Sequence, residues 1–480
     1  MIKRVLKPVL AMATLSIAIG LSNQTMAQED DPQPMAAERQ NVILIIGDGM
    51  DDHQITIARN YLKGARGKLL LDQLPLRSAS QILTQDNETP AKPVYVADSA
   101  NSATSMATGV STSRGRIATS AGEDRDLTTI AELAKQAGYA TGIVSTASVT
   151  DATPASFIAH AASRGCENPT VMFPSEESPR WLDPMACEPD RVSSGGPGSI
   201  AQQIALGEHD VILGGGQKHF TPIAENSDKT VAQLAQENQY RVINDLVGLA
   251  DLQTTALVEE KILGLFSHST MPTRWQGQDG RSAEKPQPSW LNMIDWRIGS
   301  VELPSPMTCE ANPKFEGMPS LKQMTDTALE QLSRRSEKGF FLMVESASID
   351  KQSHARNPCG SIGEVEQLEE TLASALDFAQ HNPNTLILVT ADHGQAAQLI
   401  PSSSLFAAVG VPVYSPGHIA RLITPENQIL TVNYATNDFP AEEHTGTNVP
   451  LFSNEVGVGR VPPMVTQPEI FDIMKEHLMM

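Results

Sequence analysis

The sequence predicts the α/β class, a three-layer αβα sandwich with a large, mostly parallel central sheet, on three observations. Short β-branched runs recur along the chain and end at glycine, acidic or serine residues. Helix-like segments fall between them. The runs are apolar throughout instead of alternating, as strands are when both faces of a sheet are covered.

Taken in order, Asn41 to Ile46 (NVILII) reads as a buried strand that stops at Gly47-Asp48-Gly49,. Further strands are expected at Tyr139 to Ser145 (YATGIVS), Asp210 to Leu213 (DVIL), Phe340 to Val344 (FFLMV) and Thr385 to Val389 (TLILV). Their helical partners are Leu127 to Gln136, Ala155 to Ala162, Ile200 to Ala205, Leu321 to Ser333 and Ile362 to Ala379. The alternation of strand and helix implies parallel pairing. Asp228 to Pro319 is less regular, holds three of the four Trp, and is expected to decorate the sheet without forming a domain of its own.

The 480 residues carry 35 Lys+Arg against 56 Asp+Glu, a formal charge of -21. A chain that acidic is a poor partner for nucleic acid. Lys3, Arg4 and Lys7 precede an apolar stretch from Pro8 to Leu21, and Thr25-Met26-Ala27 offers small residues for cleavage. Residues 1-27 are therefore expected to be a signal peptide, 28-37 a flexible leader and 38-480 the folded domain of an exported protein. The apolar stretch falls short of the roughly 20 residues a membrane span needs, so no membrane association is expected. Cys166, Cys187, Cys309 and Cys359 all lie in the mature part, and an even number in an exported chain favours two disulfides,. Of the three possible pairings, the sequential one closes the shorter loops and is preferred. No pair has the spacing of a zinc-thiolate site.

In open α/β sheets, ligands bind beyond the carboxyl ends of the strands. There the sequence places Asp48 after the first run, Glu345, Asp350 and His354 after FFLMV, and Asp392-His393 after TLILV. A single acid after a strand is an ordinary turn former. Three strands ending in carboxylates, two with histidine attached, point to metal: carboxylate with imidazole suits zinc, and carboxylate with hydroxyl suits magnesium. Asp350 and His354 are four apart, which puts both on one face of a helical turn. Asp98-Ser99 opens a run of small residues to Gly109. Ser99 falls in the first turn of the implied helix, where free N–H groups favour an anion, although Asp98 or Ser99 also fits as a plain N-cap. Asp151-Ala152-Thr153-Pro154 is followed by Arg164, whose planar fork can hold two phosphate oxygens,.

Together these segments resemble the bacterial periplasmic alkaline phosphatase family from about Asn41 to the C-terminal helix. The resemblance rests on IGDGM around Asp48, DSANSATSMATG from Asp98, VSTASVTDATPASFIAHAASRGC from Val144, LGGG from Leu213, GLFSHSTMPTRW from Gly264, FFLMVESASIDKQSHARNPCG from Phe340, TADHG from Thr390 and EHTG from Glu443. It implies hydrolysis of small phosphate monoesters through a phosphoserine intermediate, with two zinc ions and one magnesium per chain, in a homodimer. Ser99 would be the nucleophile and Arg164 the phosphate clamp, with Asp98 orienting that arginine. Asp350, His354 and His444 would hold one zinc, and Asp48, Asp392 and His393 the second. Asp48, Thr153 and Glu345 would hold magnesium, with Asp151 and Lys351 acting through water. Only EHTG singles out His444, which lies in a loop. Ser346 and Gly394 depart from the best-known bacterial pattern, which has Gly and Ala there.

Overall fold

Residue Asn41 begins a segment in which every side chain from Val42 to Ile46 is buried, and the direction each one faces builds the molecule. In the computed structural model, which describes residues 39–173, 183, 185–254, 259–295, 298–403 and 416–480, strand β1 (Gln40–Gly47) sends alternate residues to opposite faces,. Val42, Leu44 and Ile46 join one core cluster and Ile43 and Ile45 join another. Burying an aliphatic side chain of this size stabilises by about 1.5–3 kcal/mol, so a strand with two covered faces is anchored twice. The expected signal peptide and leader lie outside the described residues.

The central sheet has ten strands. After β1 they are β2 (Leu76–Gln81), β3 (Ala140–Ser148), β4 (Val211–Gly215), β5 (Tyr240–Ile243), β6 (Lys261–Leu265), β7 (Gly339–Ser346), β8 (Thr385–Ala391), β9 (Val449–Ser453) and β10 (Met464–Thr466). Their spatial order is β10-β2-β9-β8-β1-β7-β3-β4-β6-β5. Only β9 runs against its neighbours, β8 and β2. The other pairings are parallel. On one face the β1 side chains share a core cluster with side chains of helices α1 (Asp52–Lys63), α4 (Leu321–Ser333) and α6 (Pro358–His381). On the other they share one with α2 (Ser99–Thr108), α3 (Ala152–Ile158) and α7 (Gln467–His477). The short helix α5 (Ser348–His354) follows β7 directly. This is the expected three-layer sandwich. Among the described residues no helix is long and apolar enough to cross a membrane.

Two expectations need correction. The segment 228–319 does more than decorate the sheet, because β5 and β6 from within it form the edge. Tyr240–Ile243 (YRVI) carries Arg241, half-buried as an edge position allows, and so lacks the apolar run of an interior strand. Helix α3 covers Ala152–Ile158 and not Ala155–Ala162, since Asp151 caps it by accepting from the Ala152 N–H and the chain becomes extended at Ala159. Pro154 sits in the first turn, where no intrahelical N–H is lost. Strands β2 and β10 give no apolar run, and the short run of β9 (VPLFS) is disguised by Pro450, whose carbonyl accepts from Thr390 Oγ1 at 2.9 Å,. The two disulfides are Cys166–Cys187 and Cys309–Cys359, the sequential pairing.

Candidate active site

Strand register gathers the acidic residues. Gly47 pairs with Ser346 on one side and Ala391 on the other, so Asp48, Glu345 and Asp392 emerge from three adjacent strands at one level. Gly49 turns the chain with φ +66, and an added Cβ there would approach Asp350 Cβ to 3.1 Å. Glycine is needed for both reasons. The turn directs the Gly49 N–H to Asp392 Oδ1 at 2.9 Å, and the His393 N–H reaches the same oxygen at 2.9 Å. Asp392 Oδ2 is left buried without a hydrogen-bond partner among the described residues.

Three histidines converge in the same manner. His444 Nδ1 lies 2.9 Å from the Ala97 carbonyl, His393 Nδ1 lies 3.2 Å from that of Gly394, and His354 Nδ1 contacts that of Glu442. A ring nitrogen facing a carbonyl carries the proton, so the neutral form of each ring presents its lone pair at Nε2. His354 Nε2 and His444 Nε2 are 3.0 Å apart, and they stand 3.3 and 3.4 Å from the two oxygens of Asp350. His393 Nε2 is 3.4 Å from both Asp48 Oδ1 and Asp392 Oδ2. Donor atoms of Asp48, Asp392 and His393 lie within 4.8 Å of one another, as do those of Asp350, His393 and His444. His393 also stacks on His444 at 3.7 Å between ring centroids, so it stands between two potential cation positions. Glu345, bound by Ser145 Oγ at 2.5 Å, and the buried Thr153 Oγ1, which has no hydrogen-bond partner among the described residues, are further oxygen donors at this end of the sheet.

Ser99 is the first residue of α2, and its Oγ lies 3.2 Å from His393 Nε2 and 3.4 Å from Asp48 Oδ1. The helix is buried along its whole length, which its Ala, Ser and Thr residues permit. Asp98 does two jobs at once. Oδ1 caps the helix through the Asn101 N–H at 3.0 Å, while Oδ2 receives Arg164 Nη1 at 3.2 Å. Arg164 Nη2 reaches Asp151 Oδ1 at 3.0 Å, and Lys351 Nζ reaches Asp151 Oδ2 at 2.7 Å. Asp98 thus caps the helix and holds Arg164 at the same time. A cavity of about 780 Å³ opens here, lined by Asp98, Ser99, Arg164, Lys351, His354 and His444.

The electrostatics call for added positive charge. Burial, reinforced by Asp392 and Asp350, pushes the Asp48 carboxyl well above its usual range. Burial likewise pushes Glu345 up to about 7. Asp350 is held well below the usual value by His354 and His444 although burial opposes this. Burial also opposes the charged form of His444, yet Asp350 raises it to about 9. Asp151 stays ionised against its burial because Lys351 and Arg164 flank it.

All of the expected site residues lie at this end of the sheet. Sequence reasoning missed the residues that hold them. Gln395 Nε2 donates to Asp350 Oδ1 at 2.6 Å, and its own N–H donates to Asp51 Oδ2 at 3.2 Å. Asp51 caps α1, so one carboxylate fastens a helix start to the loop after β8. Ser145 comes from β3, directly opposite Glu345. Only the proximity of Gln395 to His393 along the chain hints at its part. The loop carrying His444 is fastened when the Thr445 N–H donates to Gly394 O at 3.1 Å. An added Cβ at Gly394 would meet Thr447 Cγ2 at 2.4 Å, which accounts for glycine there. Ser346 Oγ donates to the Glu364 carbonyl at 3.0 Å and so ties the end of β7 to α6. His160, which the sequence leaves without a role, pairs with Glu132 at 2.9 Å.

Residues 39–438 match the sequence model of a family described as alkaline phosphatase. The chain is 39% identical over 461 residues to an alkaline phosphatase of Escherichia coli (strain K12), covering 95% of this chain and 89% of that one. It is 37% identical over 456 residues to a streptomycin-6-phosphate phosphatase of Streptomyces griseus, covering 92% and 90%. Among solved structures, an alkaline phosphatase from the Antarctic bacterium TAB5 superposes with a TM-score of 0.63 at 24% identity, covering 92% of this chain and 99% of that one.

Proposed function

The chain belongs to the alkaline phosphatase family, a family of phosphate monoester hydrolases, and we propose that it works by two successive displacements through a phosphoserine at Ser99. One observation carries this reading: Ser99 Oγ stands at the start of a buried helix, within 3.4 Å of both His393 Nε2 and Asp48 Oδ1, at the mouth that Arg164 also lines.

The donor set fits divalent cations. Asp392 Oδ2 and Thr153 Oγ1 are buried oxygens without hydrogen bonds among the described residues, and three imidazoles present Nε2 lone pairs. We assign Asp350, His354 and His444 to one zinc, Asp48, Asp392 and His393 to a second, and Asp48, Thr153 and Glu345 to magnesium. When bound, such ions neutralise the clustered carboxylates and lower the pKa of a hydroxyl or water beside them.

The chain's own residues supply the rest. Ser99 Oγ bonds to phosphorus as the ester P–O bond breaks, and the departing oxygen gains a proton and leaves as the alcohol. Water then bonds to phosphorus, the P–Oγ bond breaks, and inorganic phosphate and free Ser99 result. Arg164 and the open N–H groups of the α2 start hold the non-bridging oxygens, where charge develops. Asp98 and Asp151 fix the guanidinium fork before substrate arrives, which removes an ordering cost from binding,. Lys351 shares Asp151 and keeps that carboxylate from turning toward the phosphate.

Replacing Arg164 by Ala is expected to raise KM and the inhibition constant for phosphate by about ten- to hundredfold, the worth of charge-assisted hydrogen bonds, with a smaller fall in kcat. Competitive inhibition by inorganic phosphate checks it. For the activity itself, a chromogenic monoester and the matching diester are assayed with and without chelator. The proposal requires fast monoester turnover that the chelator abolishes; a diester rate equal to or above the monoester rate would refute it. We further propose that residues 1-27 are removed on export, that 38-480 is the catalytic domain, and that the mature enzyme acts as a periplasmic homodimer. Two disulfides suit that oxidising compartment,.

A further inference from the structure

Behind the phosphate clamp lies a polar group that the displacement does not use. Glu167 is half-buried, three residues beyond Arg164 and next to Cys166. Its segment is fixed to the helix Ile200–Leu206, whose first N–H groups donate to Cys166 O at 3.0 Å and Glu167 O at 2.9 Å. Its carboxylate accepts from Thr150 Oγ1 at 3.0 Å, and Thr150 immediately precedes Asp151, the residue that holds Arg164 and Lys351. His219 Nε2 stands 3.3 Å from the same carboxylate oxygen, Oε1, and Asn168 Nδ2 lies 2.9 Å from His219 Nδ1. An amide nitrogen can only donate, so Nδ1 accepts and Nε2 carries the proton on the side of Glu167.

We propose that Glu167 is a positioning residue for the phosphate clamp, holding the Thr150–Asp151 turn and setting, by its charge, how tightly Arg164 retains phosphate. The inference rests on the functional reading above. When Glu167 is ionised, a third anion joins Asp98 and Asp151 around Arg164 and weakens the attraction for a phosphate dianion. When it is protonated, the clamp binds more firmly and releases product more slowly.

The surroundings place this change in a useful range. Burial, and then Asp151, push the Glu167 carboxyl up to about 7, although Thr150, Lys218 and Arg164 pull the other way. Burial, with Lys218 beside it, pushes His219 down to about 4, while Asp151 opposes and His268 adds to the fall. His219 is thus neutral through the range in which Glu167 titrates. The charged and titratable groups facing the pair are Asp151, Arg164, Lys218 and His268. Because the Glu167 value is raised, the anion appears as pH rises through about 7, and phosphate affinity falls in the same direction.

The test uses the metal-loaded enzyme and inorganic phosphate as a competitive inhibitor of monoester hydrolysis at about pH 6 and about pH 8.5, on either side of the Glu167 titration. Glu167→Gln keeps an acceptor for Thr150 but no charge. It should match the wild type at the lower pH and bind phosphate roughly three- to tenfold more tightly at the higher, the effect of one charge at this range. Glu167→Asp keeps the charge with a shorter reach, and should keep the pH dependence while losing kcat/KM. A wild-type to Glu167→Gln ratio that is the same at both pH values overturns the charge role, and an unchanged kcat/KM in Glu167→Asp overturns the positioning role. Should Glu167→Gln fail to fold, Thr150→Val, which removes the hydroxyl that steadies the ionised carboxylate, replaces it, and a wild-type to Thr150→Val ratio of inhibition constants that is the same at both pH values overturns the charge role. Absence of monoester hydrolysis by the wild type would instead defeat the functional reading, so the two failures are distinct.

Discussion

Ser99→Ala is expected to lose at least about a thousandfold in kcat, the scale on which removal of a nucleophile acts in hydrolases, while the protein keeps its fold and its metal. The substitution deletes one oxygen at the first position of a buried helix. Alanine suits that position, and the cap is made by Asp98 and Asn101, not by Ser99. The proposed ligands Asp392 and His393 keep their main-chain supports, and Asp48 loses only the 3.4 Å contact from Ser99 Oγ. Metal content and melting temperature should therefore match the wild type. Loss of metal together with activity would show that Ser99 serves the cation site and not the phosphorus.

Removal of the cations is the second large effect. A chelator should abolish turnover and lower Tm by roughly 5 °C or more, since a ligand held at a thousand times its Kd stabilises by about 4 kcal/mol. The cause is local. Asp48 and Glu345 already have raised values because burial and neighbouring carboxylates disfavour their charge, and withdrawing divalent ions leaves those like charges facing one another. Zinc with magnesium should restore both readings. An unchanged Tm after complete metal removal would mean that the cluster is satisfied by protons alone.

How far the sequence discloses this depends on which forces act over short stretches. Strands buried on both faces, such as NVILII and TLILV, declare themselves because every position is apolar, and the residues that follow them are the ones the sheet register brings together. Edge and antiparallel strands do not: LRSASQ and VPLFS are strands because partners pair with them. The same holds in the site. Asp48, Asp392 and His393 follow apolar runs, and Asp350 and His354 share a helical face, so their chemistry is visible locally. His444 is placed by Ala97 and Gly394, hundreds of residues or tens of residues away along the chain, and only motif resemblance points to it. Gln395, Asp51, Ser145 and Glu167 act through long-range hydrogen bonds, which no local pattern encodes.

The proposed site gives the acidic composition a use. In a chain of formal charge -21, the carboxylates proposed as ligands would gather the cations that make one cleft attractive to a phosphate dianion.

The central claim is covalent attachment of phosphate to Ser99. Metal-loaded enzyme is mixed with excess phosphate monoester, quenched in acid within one turnover, digested and analysed by mass spectrometry. The account predicts one phosphorylated peptide, containing Asp98-Ser99-Ala100, with the phosphate on Ser99 and its absence in Ser99→Ala. Turnover of the monoester with no phosphopeptide at any time, or with the phosphate on another residue, would contradict it.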